Sequence, residues 1–260
     1  MTESATTQPQ TPFRVLLIGD DCLDVYQFGT VDRISPEAPV PIFKHSSKEE
    51  RAGMARNVKL NLEALGCEVT YLCGETSVKT RLIDSKSKQH IVRIDNDVKS
   101  KPIEFASAIP LVYDAVVISD YDKGTVTYEL MEDVIEQSKS STKFPVFIDT
   151  KKTDLARLQG AWVKINELEY SRLTSECSGL IVTLGSKGAK LWDEVHPSKQ
   201  VEVSDVCGCG DTFLAALTAQ YLYTNDIKKA IMFANIAAGI TVQHLGNYAP
   251  NYDEIQIAGY

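Results

Sequence analysis

The chain has 260 residues, of which 43% are hydrophobic and 24% charged, and its formal net charge is −8. This composition can form a buried core, and the length suits one large domain or two small ones. The acidic balance lacks the electrostatic footprint of a nucleic-acid-binding protein. An anionic ligand must therefore be met by a local cluster of basic side chains or backbone N–H groups.

The N-terminus and the cysteines both bear on the compartment of the protein. Residues 1–12 are polar and predict a disordered tail, and no apolar stretch has the length of a membrane span, so we expect a cytosolic protein. The six cysteines form no C-x-x-C pair and are expected to be free thiols. A metal site at Cys207-x-Cys209 is the weaker alternative, because no second Cys/His pair stands at ligand spacing.

The N-terminal half predicts short elements that alternate with turns. The apolar run Arg14–Gly19 predicts a buried strand, and the stretch Tyr26–Pro41, with three prolines, predicts a loop and an edge strand. Met54–Leu65 has helical apolar spacing and ends at a glycine. A strand is predicted at Val69–Cys73, and the residues 79–84 and 89–95 flank a polar SKSK turn as a hairpin.

Beyond residue 110 the pattern becomes a regular alternation of strands and helices. The predicted strands are Ala115–Ser119, Val146–Asp149, Trp162–Ile165 and Leu180–Leu184, and the predicted helices are Val126–Gln137, Phe213–Tyr223 and Lys228–His244. Such alternation predicts an α/β fold with a mostly parallel sheet covered on both faces. We therefore predict one domain over residues 13–260, with a small β flap near 25–45 and 79–95. Ligands of such sheets bind beyond the carboxyl ends of the strands.

The strongest local signal is Asp205-Val-Cys-Gly-Cys-Gly-Asp-Thr-Phe213. Gly208 and Gly210 permit a tight turn, and the helix that follows offers unpaired N–H groups to an anion. Asp211, in the first helical turn, could take a proton from an attacking hydroxyl. The alternative is that the glycines and the aspartate only cap a helix. The segment is neither a Walker A loop nor a dinucleotide fingerprint, because the required Lys-Ser/Thr and third glycine are missing.

The same segment resembles the D-x-x-G-A-G-D signature of the ribokinase (PfkB) family of carbohydrate kinases, with Cys209 in place of alanine. Arg33-Ile-Ser-Pro-Glu-Ala-Pro-Val-Pro41 is similar to a block of the heptose-phosphate kinase branch, as are Ser119–Gly124 and Asp149-Thr-Lys151. The resemblance implies a ribokinase-like fold, with Asp211 as the catalytic base and the backbone of Gly208, Cys209 and Gly210 as the anion hole.

The resemblance also implies ATP and Mg²⁺ as cofactors. Asn166 and Glu169 match an N-x-x-E motif near the metal and the phosphates, with Glu169 as the metal ligand. Thr183, Gly185 and Gly188 match a nucleotide loop, and Asn235 matches a position in the adenine pocket. Each has a structural alternative: a polar strand end that enters a helix, a hairpin turn, and a satisfied core amide.

On the acceptor side, the resemblance implies that Asp20, Asp24, Gly53 and Asn57 contact the sugar. Arg93 and Lys151 are candidates to meet an anionic sugar phosphate, with a surface charge as the alternative.

Two positions in this region depart from the family pattern. Met54 stands in place of the second glycine of a pair, and Arg56 in place of a small residue. We expect Met54 to narrow the space for the substrate and Arg56 to add a charge there.

The functional hypothesis is ATP-dependent phosphoryl transfer to a hydroxyl of a sugar or sugar phosphate, heptose-phosphate-like in its acceptor. The alternatives are a kinase-fold binding or assembly protein without turnover, and a kinase of the same fold for another sugar or nucleoside. A monovalent cation near Asp205 and a homodimer through the β flap are further candidates.

Overall fold

The computed structural model describes residues 11–104, 112–139 and 144–259; the predicted tail over residues 1–12 thus lies almost wholly outside the described residues. Ten strands form one sheet: β1 (Arg14–Ile34), β2 (Pro41–Gly53), β3 (Glu68–Asp84), β4 (His90–Asn96), β5 (Ala115–Asp120), β6 (Val146–Thr150), β7 (Trp162–Asn166), β8 (Leu180–Thr183), β9 (Ala189–Leu191) and β10 (Glu194–His196). The α-helices are α1 (Met54–Ala64), α2 (Tyr128–Ser138), α3 (Glu167–Tyr170), α4 (Cys209–Thr224), α5 (Ile227–Thr241) and α6 (Tyr252–Ile257).

The sheet order is β10-β9-β8-β7-β6-β5-β1-β3-β4, with β2 paired to β1. Neighbouring strands from β3 through β8 along this order run parallel, and β2, β4, β9 and β10 are antiparallel additions. The predicted α/β class with a mostly parallel sheet is confirmed.

Two hydrophobic clusters lie on opposite faces of this sheet because successive side chains of a strand point to opposite sides. In β1, Val15 and Leu17 join the cluster that contains α1, α4, α5 and α6, whereas Leu16 and Ile18 join the cluster that contains α2. Buried strands of this kind read as continuous apolar runs, which is why their positions are predictable.

The flap is an extension of the same sheet rather than a separate sheet. The first part of β1 lies between β3 and β5, and its second part, from Cys22 onward, lies between β3 and β2. β4 closes the other edge of this extension by pairing with β3 over residues 78–83. The segments 25–45 and 79–95 lie in these four strands and in the two connections between them, residues 35–40 and 85–89.

Two boundaries in this region differ from the predictions. The strand predicted to end at Gly19 continues to Ile34, and the predicted loop over Tyr26–Pro41 begins as part of that strand. The polar residues after Gly19 suggest a strand end, but in the structure Asp20, Asp21 and Asp24 are buried. None of the helices in the described part of the chain combines the length and apolar character needed to cross a membrane.

Candidate active site

A left-handed glycine opens helix α4 at the carboxyl edge of the sheet. Gly208 has φ 72° and ψ −4° and caps the helix that begins at Cys209. A Cβ atom at Gly208 would lie 2.7 Å from side-chain atoms of Asn57 and Asn247, so both the dihedral angle and the space require glycine. The first turn of a helix offers N–H groups that lack intrahelical partners, which makes this turn suited to an anion.

Asp211 lies in that first turn and is 4% exposed. One of its carboxylate oxygens accepts a hydrogen bond from Asn57 Nδ2 at 2.9 Å, and the other accepts one from the Tyr121 hydroxyl at 2.7 Å. Burial raises the pKa of Asp211 to about 6, although these two hydrogen bonds oppose the shift. A carboxyl group with this pKa is ionised at neutral pH and can still accept a proton from a substrate.

A buried ion pair between Lys164 and Asp149 packs against the glycine turn before α4. Lys164 on β7 and Asp149 on β6 are 5% and 3% exposed, and their charged groups are 2.7 Å apart. Burial lowers the pKa of Lys164, but the charge and hydrogen bond of Asp149 outweigh it and the net shift is upward. A Cβ atom on Gly210 would lie 2.9 Å from Lys164 Nζ, so this ammonium group packs directly against the glycine turn.

Asn166 and Glu169, predicted near the metal and the phosphates, form a capping box at the start of α3. The Glu169 N–H donates to Asn166 Oδ1 at 2.9 Å, and Glu169 Oε2 accepts from the Asn166 N–H at 2.8 Å. The other Glu169 oxygen accepts from Lys151 Nζ. The alternative, a polar strand end that enters a helix, is therefore present in the structure. Lys151 pairs with Glu169, and its contact with a sugar phosphate stays a prediction.

The four remaining nucleotide-site residues come together around one cleft. Its lining includes the predicted residues Thr183, Gly185, Gly188 and Asn235 together with Cys209, Gly210 and Phe213. The loop is also a hairpin, because β8 and β9 pair antiparallel across it. Asn235 Nδ2 donates to the His196 carbonyl at 2.9 Å, so this side-chain amide has a hydrogen-bond partner and also lines the cleft. The cleft thus extends directly to the glycine turn and the start of α4.

On the flap side, three predicted acceptor residues surround Asn247, a residue that the sequence does not single out. A Cβ atom on Gly53 would lie 2.6 Å from Asp24 Oδ2, and Asn247 Nδ2 lies 3.5 Å from that same oxygen. Asn57 and Asn247 both approach Gly208. Asp24, Gly53 and Asn57 are therefore grouped at the mouth of the glycine turn.

Two predicted acceptor residues have other surroundings than the sequence implies. Asp20 is 1% exposed, and its carboxylate accepts the backbone N–H groups of Tyr121, Lys123 and Thr125, so it holds the loop after β5. Arg93 lies on the outer strand β4, is more than half exposed and pairs with Asp95.

Comparisons with known proteins agree with this geometry. The sequence model of the pfkB family carbohydrate kinases matches residues 74–254. This chain belongs to the pfkB family. The family consists of phosphotransferases that act on an alcohol group, and the predicted membership and class are confirmed.

Curated relatives include the bifunctional protein HldE of Nitratiruptor sp., 34% identical over 304 aligned positions that cover 94% of this chain and 64% of the relative. The HldE of Campylobacter curvus is 30% identical, with 93% and 64% covered. The chain thus spans less than two thirds of the length of these relatives. Because the first alignment is longer than the chain of 260 residues, it also contains gaps in this chain.

Solved structures share the fold at low sequence identity. The Arabidopsis thaliana ribokinase complexed with ribose and ATP gives a TM-score of 0.70 at 17% identity, covering 96% of this chain and 100% of that one. Phosphofructokinase-2 from Escherichia coli gives 0.67 at 16% identity, covering 95% and 98%. The predicted ribokinase-like fold is confirmed.

The two departures from the family pattern have specific surroundings. Met54 has φ 49°, a left-handed conformation that favours glycine, and its side chain is 5% exposed. Arg56 makes a two-pronged ion pair with the buried Asp21, which also accepts from the Thr76 and Tyr71 hydroxyls. The charge of Arg56 is thus neutralised by Asp21 rather than left unpaired in the cleft.

Three remaining predictions concern a monovalent cation near Asp205, the state of the six cysteines and a metal site. Asp205 accepts the N–H groups of Cys207 and Gly246 at 3.0 and 2.9 Å, so it joins the start of the glycine turn to the loop after α5. The monovalent cation stays a prediction. All six cysteines are free thiols. The described ranges contain no group of three or more His, Cys, Asp or Glu side chains arranged to hold a metal ion.

The sequence does not single out Tyr121, Lys164 or Asn247 as site residues. Lys164 carries a signal, since it is a lysine within a strand predicted to be buried, and such a lysine requires a charged partner. Tyr121 lies inside the Ser119–Gly124 block, which the sequence marks only as a similarity.

Proposed function

We propose that this chain is an ATP-dependent sugar-phosphate kinase whose acceptor resembles a heptose phosphate. The observation that carries the proposal is the position of Asp211: a buried carboxylate at the start of a helix, on a glycine turn that also lines the nucleotide cleft. The HldE relatives support the acceptor class by their similarity over more than nine tenths of this chain.

In the proposed reaction, an acceptor hydroxyl attacks the γ-phosphorus of ATP in line with the leaving ADP. A new oxygen–phosphorus bond forms, the bond between the γ-phosphorus and the bridging oxygen breaks, and Asp211 takes the hydroxyl proton. Backbone N–H groups from Gly208 to Asp211 stabilise the charge on the transferring group. The buried Lys164 adds positive charge on the other side of Gly210.

The donor set near Lys164 fits a Mg²⁺–nucleotide. Mg²⁺ is commonly held by one or two protein carboxylates while phosphate oxygens and water complete the shell, so a protein cluster of three ligands is unnecessary. Asp149 Oδ1 is buried without a hydrogen-bond partner among the described residues, and Glu169 also faces Lys164. Glu169 and Asp149 would hold the ion, which neutralises charge on the phosphates when bound.

Two arginines of the flap lie beside the predicted acceptor residues and are candidates to bind a phosphorylated acceptor. Arg51 and Arg81 stack on Tyr26, with guanidinium carbons 4.9 and 5.2 Å from the ring centroid. Arg81 pairs with Asp24, which lies beside Gly53. We propose that Arg51, whose side chain is 28% exposed and pairs with Glu49, and Arg81 meet the acceptor phosphate in addition to the predicted Arg93 and Lys151, each by exchanging its carboxylate partner for the phosphate. The homodimer through the flap stays a prediction, tested by sedimentation equilibrium.

The deciding experiment measures ADP release with Mg²⁺-ATP across a panel of free sugars, hexose phosphates, heptose phosphates and nucleosides. We expect the highest kcat/KM for a heptose phosphate, and we expect Asp211→Asn to retain ATP binding while turnover falls by a factor of about 10² to 10⁴. Asp97→Asn, an exposed carboxylate paired with Lys123, is the matched control and should keep wild-type turnover.

Three outcomes of this panel separate the alternatives. If the protein prefers a nucleoside or an unphosphorylated sugar, the proposed acceptor is wrong but the proposed kinase activity stands. ATP binding without acceptor-dependent ADP release for any compound would favour the binding or assembly protein. Wild-type turnover in Asp211→Asn would remove Asp211 as the base.

A further inference from the structure

Tyr121 makes a contact with the proposed base that neither the sequence nor the similarity assigns. Its hydroxyl donates to Asp211 Oδ1 at 2.7 Å, while Asn57 donates to the opposite oxygen. A carboxylate oxygen has two lone-pair sites, so one site on each oxygen stays available for an acceptor hydroxyl. The two donors thus fix the plane of the carboxylate without blocking its function.

Two contacts hold Tyr121 in place, one at its backbone and one at its ring. Its backbone N–H donates to the buried Asp20 at 2.7 Å, and Asp20 also binds the N–H groups of Lys123 and Thr125. Lys151 Nζ lies 5.0 Å from the centroid of the Tyr121 ring. These three hydrogen bonds from the loop to Asp20 fix the backbone that presents Tyr121.

We infer that Tyr121 is a positioning residue for Asp211: its hydroxyl keeps the carboxylate ionised and oriented toward the acceptor hydroxyl. This inference rests on the proposed function, in which Asp211 is the base. The hydroxyl remains a donor at any working pH, because burial and the charges of Asp211 and Asp149 raise the pKa of Tyr121 well above its usual value.

The groups that act on Asp211 come from several elements. They are Asn57 on α1, Tyr121 after β5, Asp149 on β6, Lys164 on β7 and Cys209 on α4. Asn57, Tyr121 and Lys164 favour the ionised carboxylate, whereas burial and Asp149 favour the protonated one. Removing the Tyr121 hydroxyl leaves the other groups in place, so the pKa of Asp211 should rise.

The first test is the pH profile of kcat/KM for the acceptor in Tyr121→Phe. Measured at ATP far below its KM, that profile reports the protein without bound nucleotide, and its acidic limb in the wild type should lie near pH 6 if Asp211 is the base. A hydrogen bond to a charged group is strong enough to shift a pKa by about one to two units. We expect the acidic limb to move upward by that amount, with the difference in rate shrinking above about pH 8.5.

The matched control is Tyr71→Phe, which removes another tyrosine hydroxyl that donates to a buried carboxylate. Tyr71 donates to Asp21 at 2.9 Å, and Asp21 is not part of the proposed reaction. Both variants lose a comparable contact, so both should lose some stability, but only Tyr121→Phe should move the acidic limb. An equal shift in Tyr71→Phe would overturn the inference, and so would an unchanged limb in folded Tyr121→Phe when the titration of Asp211 is unchanged as well.

A second readout does not need turnover. ¹³C NMR of protein labelled at the aspartate carboxyl carbon follows the titration of Asp211, whose signal is identified by its loss in Asp211→Asn. We expect the same upward shift in Tyr121→Phe. If the titration shifts and the rate profile does not, Tyr121 controls the carboxylate but Asp211 is not the base, and the proposed mechanism fails. If the titration does not shift, the inference fails.

A substitution that preserves the ring covers the case in which Tyr121→Phe does not fold. 3-Fluorotyrosine at position 121 keeps the hydroxyl and is a stronger hydrogen-bond donor, so it should lower the pKa of Asp211. The NMR titration and the acidic limb should then both move to lower pH. A shift in the opposite direction would contradict the positioning role.

Discussion

Asp211 and Asp21 are both buried aspartates, yet the structure predicts opposite effects of neutralising them. Burial raises the pKa of Asp211 to about 6 from an ordinary value of 3.8. The folded state therefore binds this proton more tightly than the unfolded state does. The stability from this group is fully present below the unfolded pKa and is lost as the pH rises through about 6. A shift of roughly two units corresponds to about 3 kcal/mol.

Asp211→Asn carries no charge at any pH and escapes this loss. The new amide has a single acceptor oxygen and cannot accept from both Asn57 and Tyr121 as the carboxylate does, so we expect it to gain only about 1–3 kcal/mol above pH 7 and almost nothing near pH 4. For Asp21, burial raises the pKa but the hydrogen bonds from Arg56, Thr76 and Tyr71 outweigh it, and the net pKa is lowered. Its stability is present above the unfolded pKa and is lost as the pH falls.

Urea unfolding of the wild type, Asp211→Asn and Asp21→Asn, followed by tryptophan fluorescence from pH 4 to pH 8, measures both signs. The stability gain of Asp211→Asn should grow with pH, and so should the stability loss of Asp21→Asn. A variant Asp211→Asn that is less stable than the wild type at pH 7.5, or a difference that does not change with pH, would refute the account of the buried base.

Four further substitutions test the packing and the ion pairs. Met54→Gly relieves about 1 kcal/mol of left-handed strain but removes a buried side chain worth about 2–5 kcal/mol, so urea unfolding should show a net loss. Gly210→Ala would force Lys164 from its contact, and we expect reduced stability together with at least about tenfold lower turnover, following the energy of a lost charged hydrogen bond. Arg81→Met breaks the ion pair with Asp24, in which both side chains are only 10% exposed, and should lower the free energy of unfolding by about 3–5 kcal/mol. Arg93→Met, with a 57% exposed side chain, is the control and should lie within about 0.5 kcal/mol of the wild type.

The central sheet and the glycine turn are predictable from the sequence because both depend on local patterns. The buried strands carry continuous apolar runs, and the turn before α4 carries two glycines followed by an aspartate and an apolar helix. Each signal is contained within a short segment, and both elements occur at the predicted places in the chain, although β1 extends to Ile34 and α4 begins at Cys209 instead of Phe213. The cleft proposed for the nucleotide follows from the same logic, since Thr183, Gly185 and Gly188 belong to one hairpin.

The partners of the charged groups are not predictable in this way. Asp20 resembles a sugar ligand, but its partners lie about a hundred residues further along the chain. Arg93 and Lys151 are predicted from charge alone, and the structure gives each an acidic partner. Charge pairing depends on which strands become neighbours, and a single sequence contains no local pattern that specifies it.

The 21 consecutive residues of strand β1 form a central strand of the core sheet in their first part and a strand of the flap in their second part. The flap is therefore not joined by a linker that could swivel freely. Any closing movement must bend two neighbouring strands near the register shift between Gly19 and Asp21, where Asp20 contacts the Tyr121 loop. In the proposed function, a substitution that stiffens this bend is therefore expected to slow acceptor entry and to perturb proton transfer to Asp211 together.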